Sequence, residues 1–96
     1  MLYRIQTESD HVLGRYRRYR ENIIEIVSRY FDGFTIVDAI GYREGKPEHS
    51  IIIEIIAENE LPKIRAIADE IRIANKQECV LVSSVDCRVE FACLSA

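Results

Sequence analysis

The sequence predicts a small α+β domain whose elements follow the order β-α-β-β-α-β. Two stretches carry apolar residues at the spacing of amphipathic helices, and the runs around them are rich in the β-branched and aromatic residues typical of strands. The chain has 96 residues, of which 48% are hydrophobic and 30% charged. This length and composition suit one globular core, so residues 1–96 are expected to form a single domain.

The first part of the chain is predicted to hold a strand, a loop and a helix. Residues 2–7 alternate between apolar and polar side chains, as a short strand does. Residues 8–18 are polar and show no clear period, which predicts a loop. Residues 19–31 carry apolar side chains at helical spacing, and the Asp-Gly pair that follows them is typical of a helix end.

A hairpin is predicted next. Residues 34–42, FTIVDAIGY, form one strand, and residues 43–48, REGKPE, contain the glycine and proline expected at a bend. Residues 50–57, SIIIEIIA, form the second strand. Because side chains alternate along a strand, Ile51, Ile53 and Ile55 are expected on one side and Ile52, Glu54 and Ile56 on the other.

The remaining residues predict a second helix and a last strand. Apolar residues recur at helical spacing within residues 58–77, with Asn59 as the candidate N-cap and Pro62 in the first turn. Residues 78–85 form a strand, and residues 87–94 either extend it or add a fifth strand.

This order of elements predicts a ferredoxin-like sandwich, in which an antiparallel sheet carries both helices on one face. The other face of such a sheet is polar in a soluble monomer, but residues 50–57 are apolar on both sides. We therefore expect a homo-oligomer that packs through this sheet face. A fifth strand or the C-terminal tail folding over the face is the alternative.

Residues 14–20, GRYRRYR, concentrate positive charge in a chain with 13 Lys and Arg, 16 Asp and Glu and a net charge of −3. Arginines are unfavourable beside a helix N-terminus unless an anion is bound there. Arginine binds anions in a bidentate manner and tyrosine offers a flat face to a base, so we expect a small anionic, nucleotide-derived ligand. The predicted ligand residues are Arg15, Tyr16, Arg17, Arg18, Tyr19 and Arg20.

Two other interpretations of this segment remain. It could be a solvated basic stretch that pairs with acidic residues, or it could bind nucleic acid. A single basic patch on an acidic chain argues against nucleic acid, which usually requires a broad basic face.

No catalytic, metal-binding or cofactor motif is present in the sequence, so no cofactor, no metal and no enzymatic activity are expected. Glu54 lies among isoleucines, where a carboxylate requires a partner. It is interpreted as the partner of an arginine across a subunit interface, or else as a ligand anchor. No apolar run approaches the roughly 20 residues that span a bilayer, and no signal peptide is evident, so a cytoplasmic protein is expected.

Residues 35–82 contain the runs TIVDAIGYREGKPEHSIIIEI and IRAIADEIRIANKQECVLV. This pattern resembles small ferredoxin-like proteins of phages and mobile elements, some of which are oligomeric anti-defence sponges for cyclic nucleotides. The architecture is also similar to PII-like proteins, which are trimers with nucleotide sites between subunits, although the loop between the second and third strands is much shorter here. The resemblance implies further ligand residues at element ends: Tyr42, Arg43, His49, Asn75 and Gln77.

For Asn75 a helix C-cap is the alternative role. For the protein as a whole, the alternative to a small-ligand binder is an interaction module that docks an acidic partner through its Arg/Tyr-rich segment. An enzyme using Glu54 or His49 in a cleft between subunits is a third class.

Overall fold

The computed structural model describes residues 1–8 and 13–92 and contains two helices and a four-stranded sheet. The elements are β1 (Leu2–Glu8), α1 (Leu13–Ser28), β2 (Thr35–Arg43), β3 (Lys46–Ile56), α2 (Leu61–Ala74) and β4 (Leu81–Val85). The strands lie in the order β2-β3-β1-β4, and every neighbouring pair is antiparallel. This confirms the predicted α+β class, and the arrangement is compatible with a ferredoxin-like fold.

The core lies between the sheet and the two helices. Side chains at odd positions of β1 and β3 face the helices, and Ile5, Ile51 and Ile53 are fully buried there. The helices cover them with buried apolar side chains at helical spacing: Ile23, Ile26 and Val27 of α1, and Ile64, Ile67, Ala68 and Ile71 of α2. The alternation predicted for β3 is therefore confirmed.

The start of α1 differs from the prediction. The loop expected over residues 8–18 is wrong for residues 13–18, which are helical, and residues 9–12 lie outside the described residues. Tyr16 packs against the core and lies two helical turns before the buried Ile23. The core-facing stripe of α1 thus extends into residues 13–18. This segment was interpreted as polar because Tyr16 was not counted among the core residues.

The hairpin turn is shorter than the predicted bend. Arg43 pairs with Lys46, so the loop contains only Glu44 and Gly45, whose φ angles are 52° and 74°. Positive φ at both positions is the geometry of a type I′ turn, which matches the twist of the flanking strands. Pro47 is consequently part of β3, in the stretch that pairs with β2 alone.

The second half of the chain also differs at its boundaries. Glu60 is the N-cap of α2, while Asn59 has a left-handed φ of 50°, and Pro62 lies in the first turn as predicted. The last strand begins at Leu81 rather than at residue 78. Residues 86–92 are not a strand, and the last residues of the predicted fifth strand, 93 and 94, lie outside the described residues.

Within the described parts of the chain, neither helix is sufficiently long and apolar to cross a membrane.

Candidate functional site

The residues predicted to bind a ligand lie at one end of the sheet, although they come from distant parts of the sequence. The end of β1 meets the first half of β3, because Glu8 pairs with Ser50, and Ser50 also pairs with Ala39 in the second half of β2. The chain enters α1 directly after this end of β1, and it leaves α2 at the same end before it enters β4. The start of α1, the far half of β2 and the end of α2 therefore meet in one region.

Tyr16 and Asp38 form the most direct contact between these elements. The Tyr16 hydroxyl donates a hydrogen bond to Oδ1 of Asp38. Asp38 pairs with the buried Ile51 in the sheet register, so its side chain lies on the helix-facing side of β2. The contact links the first turns of α1 to the sheet edge and places a carboxylate next to the helix.

The environment of this contact raises the pKa of the Tyr16 phenol. The main cause is the hydrogen bond to Asp38, followed by burial and by the negative charge of the same carboxylate. The guanidinium of Arg20, one turn further along α1, acts in the opposite direction. The phenol therefore stays protonated at neutral pH and acts as a hydrogen-bond donor, with a carboxylate and a guanidinium beside it.

Asp38→Asn is expected to lower the pKa of Tyr16, because the variant lacks the carboxylate charge that favours the protonated phenol. A tyrosine whose pKa is higher in the folded than in the unfolded protein adds to the free energy of unfolding. This contribution is complete below the unfolded-state pKa of about 10, and it is lost as the pH rises through the folded-state pKa. Tyrosinate absorbance during an alkaline titration measures the change. Glu70→Gln is the matched control, since the pKa of Tyr30 is raised in the same way by its hydrogen bond to Glu70. Identical titrations of the wild-type protein and Asp38→Asn would contradict this assignment.

The arginines of α1 are distributed around the helix rather than gathered on one side. Successive residues turn by about 100°, so Arg20 lies about 40° from Tyr16, whereas Arg18 lies on nearly the opposite side. Arg17 and Arg18 are exposed. Only Arg15 lies in the first turn, where the helix dipole acts most strongly, so the unfavourable charge that predicted an anion is weaker than the sequence suggests.

Asn75 has a structural role at this end. It is the C-cap of α2, and its side chain is buried. Its Oδ1 accepts a hydrogen bond of 3.0 Å from Asn22, and its Nδ2 donates one of 3.5 Å to the carbonyl of Tyr19. The C-cap alternative is confirmed, and in addition the side chain ties α2 to α1.

Gln77 is engaged in a similar manner by β1. Its Oε1 accepts a hydrogen bond from the Thr7 hydroxyl, and its Nε2 donates one to the carbonyl of Glu8. The backbone reaches this position through Lys76, which adopts a left-handed φ of 54°, and the N–H of Gln77 bonds to the carbonyl of Arg72 at 2.9 Å. This is a Schellman motif, and it fixes the Gln77 amide against the end of β1.

Residues 40–49 form the outer part of the β2–β3 hairpin, which we call the hairpin arm. Ile40 and Tyr42 share the helix-facing side with Asp38 but are exposed, Tyr42 by 74%. His49 pairs with Ile40 and is also exposed, and Arg43 forms an ion pair of 3.4 Å with Glu48. Tyr42 lies four positions beyond Asp38 along the strand, which places it about 13 Å further out.

The contact between Asp38 and Tyr16 and the exposure of Ile40 were not predicted from the sequence. One signal was available. Side chains alternate along a strand, and Asp38 and Ile40 follow Ile36 at every second position of β2. Because Ile36 packs against the core, both also lie on the helix-facing side. A carboxylate on that side requires a partner from a helix.

A separate cleft of about 300 Å³ lies between the two helices. Two of its charged groups are paired with each other: Arg29 forms a 3.0 Å ion pair with Glu70, which also accepts a hydrogen bond from Tyr30. None of the predicted ligand residues lines it. This cleft is therefore a weaker candidate than the end of the sheet.

Comparison with known proteins identifies the fold but no family. No protein-family model matches the chain, and no curated protein matches it. A phage SAM lyase solved in its apo state has a similar structure, with a TM-score of 0.63 and 24% identity over 84% of this chain and 75% of that chain. The de novo designed protein Foldit4 has a TM-score of 0.53 and 22% identity over 91% of this chain and 94% of its own.

These likenesses bear on two expectations. The similarity to phage proteins is confirmed at the level of the fold, because one of the similar structures is a phage protein. The expectation that this protein is not an enzyme is contradicted, because that structure is a lyase. The absence of a recognisable catalytic motif was therefore not a sound reason to exclude catalysis on this fold.

Proposed function

We propose that this protein is an enzyme that binds and breaks down a small nucleoside-derived ligand bearing both positive and negative charge. S-adenosylmethionine is the first candidate. The observation that carries the proposal is the arrangement around Tyr16, whose hydroxyl donates to Asp38 of β2 and has the guanidinium of Arg20 of α1 near it.

The charges of the site match those of such a ligand. S-adenosylmethionine carries a sulfonium and an ammonium group, which a carboxylate attracts, and a carboxylate of its own, which a guanidinium binds in a bidentate manner. Asp38 supplies the first of these partners, and the exposed Arg20 supplies the second. The Tyr16 hydroxyl donates to Asp38 and keeps its own proton, so the phenol adds no second negative charge beside the carboxylate and Arg20.

The hairpin arm supplies apolar surface beyond these charges, on the same side of β2. Ile40 follows Asp38 on the same side of β2, and Tyr42 follows Ile40. An exposed aromatic ring gives a base a face on which to stack, which typically contributes about 1–3 kcal/mol per base. Breakdown of the ligand, as opposed to binding alone, is supported by the shared fold with a SAM lyase, which is an argument by analogy.

The test is to incubate the purified protein with S-adenosylmethionine, measuring binding by calorimetry and products by mass spectrometry. We expect the wild-type chain to bind and consume it, and Asp38→Asn to bind at least about tenfold more weakly, a loss of about 1.4 kcal/mol. Asp69→Asn is the matched control, because it removes the same charge from an exposed position on α2.

Each outcome decides between functions. Binding without any product would indicate sequestration, the sponge-like role, in place of catalysis. If neither S-adenosylmethionine nor a panel of nucleotides and cyclic nucleotides binds, the proposed ligand class is wrong. Equal affinity of Asp38→Asn and the wild-type protein would place the site elsewhere.

A further inference from the structure

The face of the sheet opposite the helices, which we call the open face, carries several exposed apolar side chains. Val37, Ile56, Leu81 and Val85 project from it and are between 41% and 62% exposed. They come from β2, β3 and β4, and the partly exposed Leu2 of β1 lies between Ile56 and Val85 in the register. The apolar side chains lie in two rows across the strands, separated by the polar row Thr35, Glu54, Arg4 and Ser83. Exposed apolar side chains on several strands of one face are typical of an interaction surface.

The described part of the C-terminal tail does not cover this face. Residues 86–92 are exposed, and Phe91 is 88% exposed. The described tail thus leaves Leu81 and Val85, the apolar residues of β4 on the open face, accessible to solvent.

An ion pair lies in the middle of the open face. Nε of Arg4 is 3.1 Å from Oε1 of Glu54, and the two residues are opposite each other on β1 and β3, the inner strands of the sheet. The side chains are 54% and 31% exposed, so each retains unused hydrogen-bonding atoms toward solvent. Glu54 therefore has an arginine partner as the sequence suggested, but the arginine belongs to the same chain.

We infer that another copy of this chain packs on the open face, with Arg4 and Glu54 of each copy contacting their counterparts. A strongly acidic or basic partner would meet a like charge at the centre of the patch, which costs affinity. An entirely apolar partner would remove the ion pair from water without offering it a hydrogen bond. A second copy supplies apolar surface for the rim and both charges for the centre, and such self-complementary contacts are usual in homo-oligomers.

Charge reversal at the two positions tests this arrangement. Arg4→Glu gives a face with two acidic groups at its centre, and Glu54→Arg gives a face with two basic groups. We expect the wild-type protein to associate in light scattering after gel filtration, and each variant alone to be monomeric. An equimolar mixture of the two variants should associate again, because an acidic centre then meets a basic one.

The control is Arg65→Glu, which reverses an exposed charge on α2, in the layer on the other side of the sheet, and should associate as the wild-type protein does. The double variant Arg4→Glu, Glu54→Arg restores one charge of each sign and should also associate. Circular dichroism checks that each variant is folded, and if a single variant fails to fold, the double variant provides the test.

A monomeric wild-type protein at all soluble concentrations would overturn the inference. So would single variants that associate as the wild-type protein does, or a double variant that is folded but monomeric. The result is independent of the proposed ligand, because Asp38 lies on the helix-facing side, and Asp38→Asn should leave the association unchanged.

Discussion

Ile53→Ala is expected to lower the free energy of unfolding by about 2–5 kcal/mol. Ile53 has no exposed surface and lies at the centre of the sheet, opposite Ile5 of β1 and Ile36 of β2. Truncation removes apolar atoms from contact with both neighbours and leaves a cavity beneath the helices, which the surrounding strands can fill only in part. Urea denaturation followed by circular dichroism measures the loss.

The matched control is Ile56→Ala on the same strand. Ile56 points to the open face and is 59% exposed, so its truncation is expected to cost less than about 1 kcal/mol. Measurements at two protein concentrations separate folding from association, since self-association makes apparent stability depend on concentration. Equal losses of unfolding free energy in both variants would contradict the assignment of Ile53 to the buried side of β3 and of Ile56 to the open face.

Asn75→Ala is expected to lower the free energy of unfolding by about 1–3 kcal/mol, because two hydrogen bonds between the helices are lost in a buried position. Asn22 then loses the acceptor that holds its amide, and the end of α2 is no longer tied to the Tyr19 carbonyl. The same denaturation experiment applies.

Two further variants sharpen this result. Glu78→Ala alters an exposed side chain close by and should leave stability nearly unchanged. Asn75→Asp keeps the oxygen that accepts from Asn22 but loses the donor to Tyr19, so it should retain only part of the wild-type stability. If Asn75→Ala is as stable as Glu78→Ala, the amide does not hold the two helices together.

Much of the candidate site could not be predicted because its contacts join distant residues. The hydrogen bond between Tyr16 and Asp38 spans 22 positions, and no local pattern connects a tyrosine in a basic segment with an aspartate in a strand. The arginines adjacent in sequence were expected to act as one cluster. Helical geometry distributes them around α1 and leaves Arg20 as the one beside Tyr16.

The sequence by itself determined the order and type of the elements and the two sides of β3. These follow from periodicity over a few residues, which depends on backbone geometry alone. Only the tertiary structure showed that residues 13–18 are helical, with Tyr16 packed against the core and bonded to Asp38 of β2. It also decided that Glu54 pairs with Arg4, 50 positions away, since only the register of β1 against β3 makes them neighbours.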